Sequence, residues 1–216
     1  MKQTVILMTL LAFLLLAGCE KKEELPEKPV EQEKTPEQIV ELIARDLAPL
    51  SGAFSGGWLT NDDKDKIVSK LRTHKATYQS KENGVIALER ITAEVEKAVR
   101  MARDEERWRL VINCLEIYDV LQPGSTKFQR IAKLADLQLK KPKVKLKGFF
   151  RDIDSNDQFY AFVDINDPES GKTYSEQMRV GEEKHGIRLH RIIGNQQGVE
   201  FEYMAIPGDY FEVMKK

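Results

Sequence analysis

A chain of 216 residues carrying 34 basic and 35 acidic side chains has a formal charge of −1, and charges of both signs are mixed along it, which argues against strong attraction to nucleic acid. A charged fraction of 32% beside 41% hydrophobic residues describes a soluble body with a real core. The length suits one large or two small domains.

The amino-terminal stretch MKQTVILMTLLAFLLLAGC has the order of a secretory signal. Lys2 supplies a short positive region, Val5–Leu16 is apolar and uncharged, and Leu16-Ala17-Gly18-Cys19 ends it with small residues before a cysteine. The run is shorter than the about 20 apolar residues a spanning helix needs. Its last four residues resemble a bacterial lipobox. That resemblance implies a lipoprotein: cleavage after Gly18 removes residues 1–18, and Cys19 carries a diacylglyceryl group and an acylated amino terminus, with chains such as palmitate. The membrane is then a partner through the lipid on Cys19, because several acyl chains on one residue hold a protein stably where one does so only reversibly. Residues 20–36, EKKEELPEKPVEQEKTP, mix charges with three prolines and almost no large apolar residue. Such a composition buries too little surface to offset chain ordering. Residues 19–34 are read as a flexible tether, reaching about 50 Å when extended.

Residues 35–141 read as a helical domain. Thr35, Pro36 and Gln38 have the spacing of a capping box with proline at the first helical position. Ile39, Ile43 and Leu47 then form an apolar stripe up to Pro49. Leu50–Leu59, LSGAFSGGWL, reads as a loop offering Phe54 and Trp58 as candidate partner contacts. A second helix follows Thr60 or Asn61 with Ile67, Val68 and Leu71 on one side, and Asn83 is a cap for a third carrying Leu88, Ile91, Val95, Val99 and Ala102. The apolar phase slips at Asp104–Arg107, which predicts a kink or a fresh helix bearing Trp108, Val111, Ile112, Leu115, Tyr118 and Leu121. Gln122-Pro123-Gly124 stops it, and Ser125 caps a last helix with Phe128, Ile131, Ala132, Leu134 and Ala135 inward, ending at Lys140-Lys141-Pro142. Two helices joined by a Pro-Gly turn resemble a tetratricopeptide-type unit, without a second clear copy at that period.

From Lys143 the period changes to 2, and residues 142–216 read as an all-β domain. Val144, Leu146 and Phe149 point inward on a first strand; Asp152–Asp157 turns the chain; Phe159, Ala161, Val163 and Ile165 alternate on a second; Tyr174–Val180 is a third, followed by a loop with Gly181 and Gly186. Ile187, Leu189, Ile192 and Ile193 form two short segments, Val199, Phe201, Tyr203 and Ala205 alternate, and Tyr210–Met214 is the last strand. Short strands between turns predict an α+β chain whose second half is a small antiparallel β-sandwich or partly open barrel.

No constellation for catalysis is legible, and neither a metal nor a cofactor is expected. His185 and His190 straddle Gly186 without a zinc spacing, and the aspartates of Asp152–Asp157 lack the glycine and closing glutamate of a calcium loop. Cys114 lies in LVINCLEIY and reads as a buried thiol; with Cys19 lipidated, an internal disulfide is impossible. Lys143, Lys145 and Lys147 alternate with Val144 and Leu146 and so share one strand face, with Arg151 beyond. They read as a solvated edge or as a surface for an acidic partner or anionic lipid headgroups.

The last 74 or so residues resemble, in Leu146-Lys147-Gly148, Ala161-Phe162-Val163, Arg179-Val180-Gly181-Glu182 with Gly186, Leu189–Ile193 and Gly198-Val199-Glu200-Phe201, the periplasmic homology-region domain shared by the pilus-assembly lipoprotein PilP and general-secretion protein C. The resemblance implies about six strands in two short sheets and a non-catalytic role: binding a secretin or neighbouring inner-membrane assembly proteins, so that the chain scaffolds a type IV pilus or type II secretion-like machine. It leaves out residues 35–141, which that family lacks. The alternatives are a general envelope lipoprotein whose helices bind another protein, and an unfamiliar hydrolase. The expected location is the bacterial envelope, facing the periplasm. Glu20 after the lipid cysteine points to the outer membrane and the pilus resemblance to the inner one.

Overall fold

The computed structural model describes residues 33–152 and 158–215. The leader, Cys19, most of the tether and residues 153–157, within the expected turn at Asp152–Asp157, lie outside the described residues. Among those described, six helices precede seven strands, and the strands form two antiparallel sheets that do not close into a barrel. The chain is α+β.

Helix α1 (Pro36–Asp46) begins as its sequence predicts: the Thr35 hydroxyl accepts from the Gln38 N–H and the Gln38 side chain accepts from the Thr35 N–H, at 3.4 and 3.1 Å. The segment read as a loop from Leu50 is instead partly helical. Helix α2 (Ala48–Phe54) holds Pro49 in its first turn, where a missing N–H is harmless, and buries Leu50 and Ala53. Helix α3 (Asn61–Tyr78) starts behind Thr60, whose hydroxyl accepts from the Asp63 N–H at 3.1 Å.

Helix α4 (Glu82–Asp104) starts behind Lys81 rather than being capped by Asn83. Gly84 in its first turn lies so close to the end of α3 that an added Cβ would stand 2.1 Å from the Tyr78 carbonyl oxygen. The phase slip at 104–107 is a true break: Glu106 takes a left-handed φ of 54° and a fresh helix, α5 (Trp108–Leu121), follows. Helix α6 (Gln129–Leu139) starts four residues after Ser125, because Phe128 is buried edge-on against Tyr118, with ring centres 5.0 Å apart. Ser125 spends its hydroxyl on the Tyr118 hydroxyl and the Lys127 N–H. The helical core includes Ile39, Ile43, Ile67, Leu71, Val95, Val99 and Ile117.

Strands β1 (Lys143–Asp152), β2 (Gln158–Asn166) and β3 (Thr173–Met178) form one sheet in that order; β4 (Glu183–Lys184), β5 (Ile187–Ile193), β6 (Gly198–Tyr203) and β7 (Tyr210–Met214) form the other. Three expectations need correction. The two short segments at 187–193 are one strand with a bulge between Leu189 and Arg191, which explains the broken alternation. β3 ends at Met178, leaving Val180 exposed. β6 ends at Tyr203, because its N–H bonds the Asp209 carbonyl and turns the chain before Ala205. Ala161, Val163, Ile165, Met178, Ile187, Leu189, Val199 and Phe201 make the core between the sheets.

Edge β1 lies beside edge β7, while β3 is tied to β4 by side chains. Lys184 donates to Glu176 and to the Gln177 carbonyl at 2.9 and 3.0 Å, His185 contacts Glu176 at 3.0 Å, and the Tyr174 and His185 rings stack with centres 4.0 Å apart. These partners, His185 first and then Lys184, hold the Glu176 carboxyl below its ordinary pKa. A depressed carboxylate contributes stability above its unfolded pKa and loses it as pH falls through the folded one. Acid unfolding of Glu176→Gln is therefore expected to show a shallower loss of stability than wild type across and below the ordinary carboxylate range. Equal slopes in denaturant titrations at stepped pH would contradict this.

The two cores meet where α6 runs into β1. Leu137 packs on the β core and its carbonyl accepts from the Tyr203 hydroxyl at 3.1 Å. The Lys141 ammonium lies 2.8 Å from both oxygens of Asp209, Gln138 donates to Asp209 at 3.0 Å, and the same ammonium sits 4.5 Å from the centre of the Phe211 ring. Lys141 and Asp209 are each only 19% exposed. Asp209→Ala leaves a sheltered cation without its anion and is expected to cost about 1–3 kcal/mol. A double-mutant cycle with Lys141→Ala, read by denaturant unfolding, should return a favourable coupling; zero coupling would show the pair to be incidental.

Candidate functional site

Strand β1 places the three lysines as its alternation predicts. Lys143, Lys145 and Lys147 are exposed on the outer face of the three-stranded sheet, with Val144 half-buried and Leu146 buried on the other side. Lys147 pairs with Asp164 across the ladder at 2.7 Å, and Asp164 also accepts from the Ser175 hydroxyl at 2.8 Å. These two contacts, Lys147 first, lower the Asp164 pKa. Lys143 and Lys145 have no ion-pair partner among the described residues.

A bulge between Leu146 and Gly148 then exchanges the faces of the strand. Phe149 stays on the core side and Phe150 turns outward, 52% exposed, with its ring edge-on to Phe162 at 6.4 Å. Gly148 is the register partner of Phe162 and has open space where a side chain would stand. A shallow hollow of about 530 Å³ results, lined by Phe162, Lys147, Asp164, Ser175 and Gln177 among others. The same bulge separates Arg151 from the lysines. Arg151 pairs in register with Phe159, its guanidinium 5.7 Å from that ring, and Phe159 borders a different cavity with Ile192 of the second sheet. Sequence reasoning grouped Arg151 with the lysines by proximity and passed over Phe150 and Phe162; the glycine inside an alternating strand was the available signal.

The two loop aromatics part company. Phe54 is half-buried against the helical core, its ring 5.8 Å below the Arg107 guanidinium. Trp58 is 90% exposed.

A third surface is a groove of about 890 Å³ between α3 and α5, with half-buried Val68, Ile112, Leu115 and Val120 along it and Pro123 and Ala132 at one end. Asp65, Arg72, Glu116 and Asp119 line it as well, and Lys75 closes the end of α5 by donating to the Val120 and Leu121 carbonyls at 2.9 and 3.0 Å. Lys64 bonds Glu116 across the two helices.

Each histidine has a carboxylate beside it: His74 with Asp46, His185 with Glu176, His190 with Glu200. Among the described residues no group of three or more His, Cys, Asp or Glu is arranged to hold a metal ion, and no helix is long and apolar enough to cross a membrane. No family model matches the chain, and neither a curated protein nor a solved structure does. Cys114 is fully buried in α5, and desolvation pushes its thiol up to about 12. It should resist alkylation by iodoacetamide at neutral pH in the folded protein and react fully once the chain is unfolded in denaturant. Rapid labelling of the native protein would show the helical core to be more open than described.

Proposed function

We propose that this chain is a non-catalytic envelope lipoprotein, held to a membrane through Cys19, that scaffolds a type IV pilus or type II secretion-like assembly by binding a secretin or an inner-membrane assembly protein. The observation that carries the reading is the outer face of the three-stranded sheet. Two lysines without an ion-pair partner among the described residues, an exposed Phe150 and a hollow over Phe162 stand side by side on an antiparallel ladder. A cationic strip around an apolar anchor suits a protein segment with acidic residues flanking a large apolar one: the anchor supplies affinity and the charges supply orientation. The two short antiparallel sheets also agree with the architecture that the homology-region resemblance implies.

The groove between α3 and α5 favours a second reading, in which the helical half of a general envelope lipoprotein holds the partner. Its apolar floor and charged rim suit an amphipathic helix laid lengthwise.

Affinity capture of the full chain from gently solubilised membranes separates the two. The leading reading expects a secretin or its inner-membrane partners among the captured proteins, reduced at least tenfold by Lys143→Glu/Lys145→Glu/Phe150→Ala. Capture lost instead with Val68→Glu/Leu115→Glu selects the groove. Recovery of neither kind of partner from correctly located protein would overturn the scaffold reading, and a Cys19→Ser chain that stayed on the membrane would overturn the lipid anchor.

A further inference from the structure

Trp58 is held out to solvent by built structure. The Gly52 carbonyl accepts from both the Ser55 and Gly57 N–H groups at 3.1 Å, Gly56 takes a left-handed φ of 94°, and Gly57 packs so tightly that a Cβ would stand 2.8 Å from the Gly52 oxygen. Arg107, from the start of α5, donates to the Ala53 and Gly57 carbonyls at 2.8 and 3.4 Å and lies over Phe54. Thr60 caps α3 on the other side. The backbone on both sides of Trp58 is thus held, and tryptophan, with only two side-chain torsions to freeze, makes an effective interface anchor from such a position.

Four residues before Trp58, Phe54 borders a cavity large enough to take an indole. The cavity, of about 230 Å³, is bounded by Leu50, Phe54, Ala98 and Met101, with Glu94 and Lys97 also lining it. Met101 is exposed. Glu94 and Lys97 lie three residues apart on one face of α4, and neither has an ion-pair partner among the described residues. A two-fold axis passing between them would set each Glu94 against the Lys97 of the other copy, which is charge complementarity of a surface with itself. A lipid surface is disfavoured, because Asp62 and Asp63 follow Trp58 within five residues and would face anionic headgroups.

We infer that Trp58 and this cavity form a two-fold interface with a second copy of the chain, the indole of each copy entering the Leu50–Phe54–Met101 cavity of the other. The inference stands apart from the scaffold reading, since neither the lysine strip nor the groove between α3 and α5 takes part.

The test uses the full chain, co-expressed with two different affinity tags, with photoreactive benzoylphenylalanine in place of Ser51 at the cavity wall. Irradiation should give an adduct of twice the chain mass bearing both tags, its crosslinked peptides joining position 51 of one copy to the segment around Trp58 of the other. Trp58→Ala should lower the yield at least fivefold, and circular dichroism should be unchanged because the side chain is exposed. Glu94→Lys and Lys97→Glu should each lower it, and the two together should restore it. No two-tag adduct, an adduct indifferent to Trp58→Ala, a charge swap that fails to restore, or crosslinking only to lipid or to another protein would each overturn the interface.

Discussion

The ion pair between Lys141 and Asp209 decides what kind of body this is. The helical half and the β half each bury their own apolar residues, and the chain passes from α6 to β1 in three residues. Such a junction would be a hinge if nothing else held it. Instead the last hairpin returns to the junction and supplies Tyr203, Asp209 and Phe211, which grip the Leu137 carbonyl, the Lys141 ammonium and Gln138. A salt bridge in water is worth little, because solvation and side-chain entropy offset the attraction. This one is sheltered, bidentate and backed by a further hydrogen bond and an aromatic face, which places it among the geometries that do contribute.

Lys143 follows that junction by two residues, so the lysine strip leaves from a fixed point. The bulge after Leu146 then brings Phe150 onto the lysine face and Gly148 opposite Phe162. A single extra residue thus turns a merely cationic edge into a surface with an apolar centre. The protein-binding role proposed above draws on that conversion more than on the count of lysines. The stapled loop at Trp58 follows the same logic on the helical half: a left-handed Gly56, a Gly57 with no room for a side chain, and one arginine bridging backbone carbonyls hold the backbone that presents a large ring.

Much of the architecture was legible because its signals are local. The Thr35-Pro36-Gln38 box, the stripes on α3, α4 and α5, and the change of period at Lys143 each rest on residues close in the chain. The misreadings came where a distant contact overrode a local rule. Pro49 looked like a stop and serves as a start, because Leu50 and Ala53 reach a core formed by other helices. Asn83 and Ser125 have the chemistry of caps, yet the contact of Gly84 with Tyr78 and the packing of Phe128 on Tyr118 moved both helix starts. Arg151 and Phe150 could be assigned to faces only once the bulge was known, since one inserted residue reverses every side chain beyond it. The pairing of Lys141 with Asp209, 68 residues apart, has no local signature at all.

The joint makes residues 35–152 and 158–215 one mechanical unit, on which the lysine strip and the Trp58 loop hold fixed positions. Native-state hydrogen exchange of the full chain, followed by mass spectrometry through a denaturant series, tests this most directly. Core amides of α5 and of β2 and β6 are expected to open with one common free energy, and amides at 138–144 to share their protection. Separate opening of the helical and β halves, with the junction exchanging as fast as an exposed loop, would contradict it.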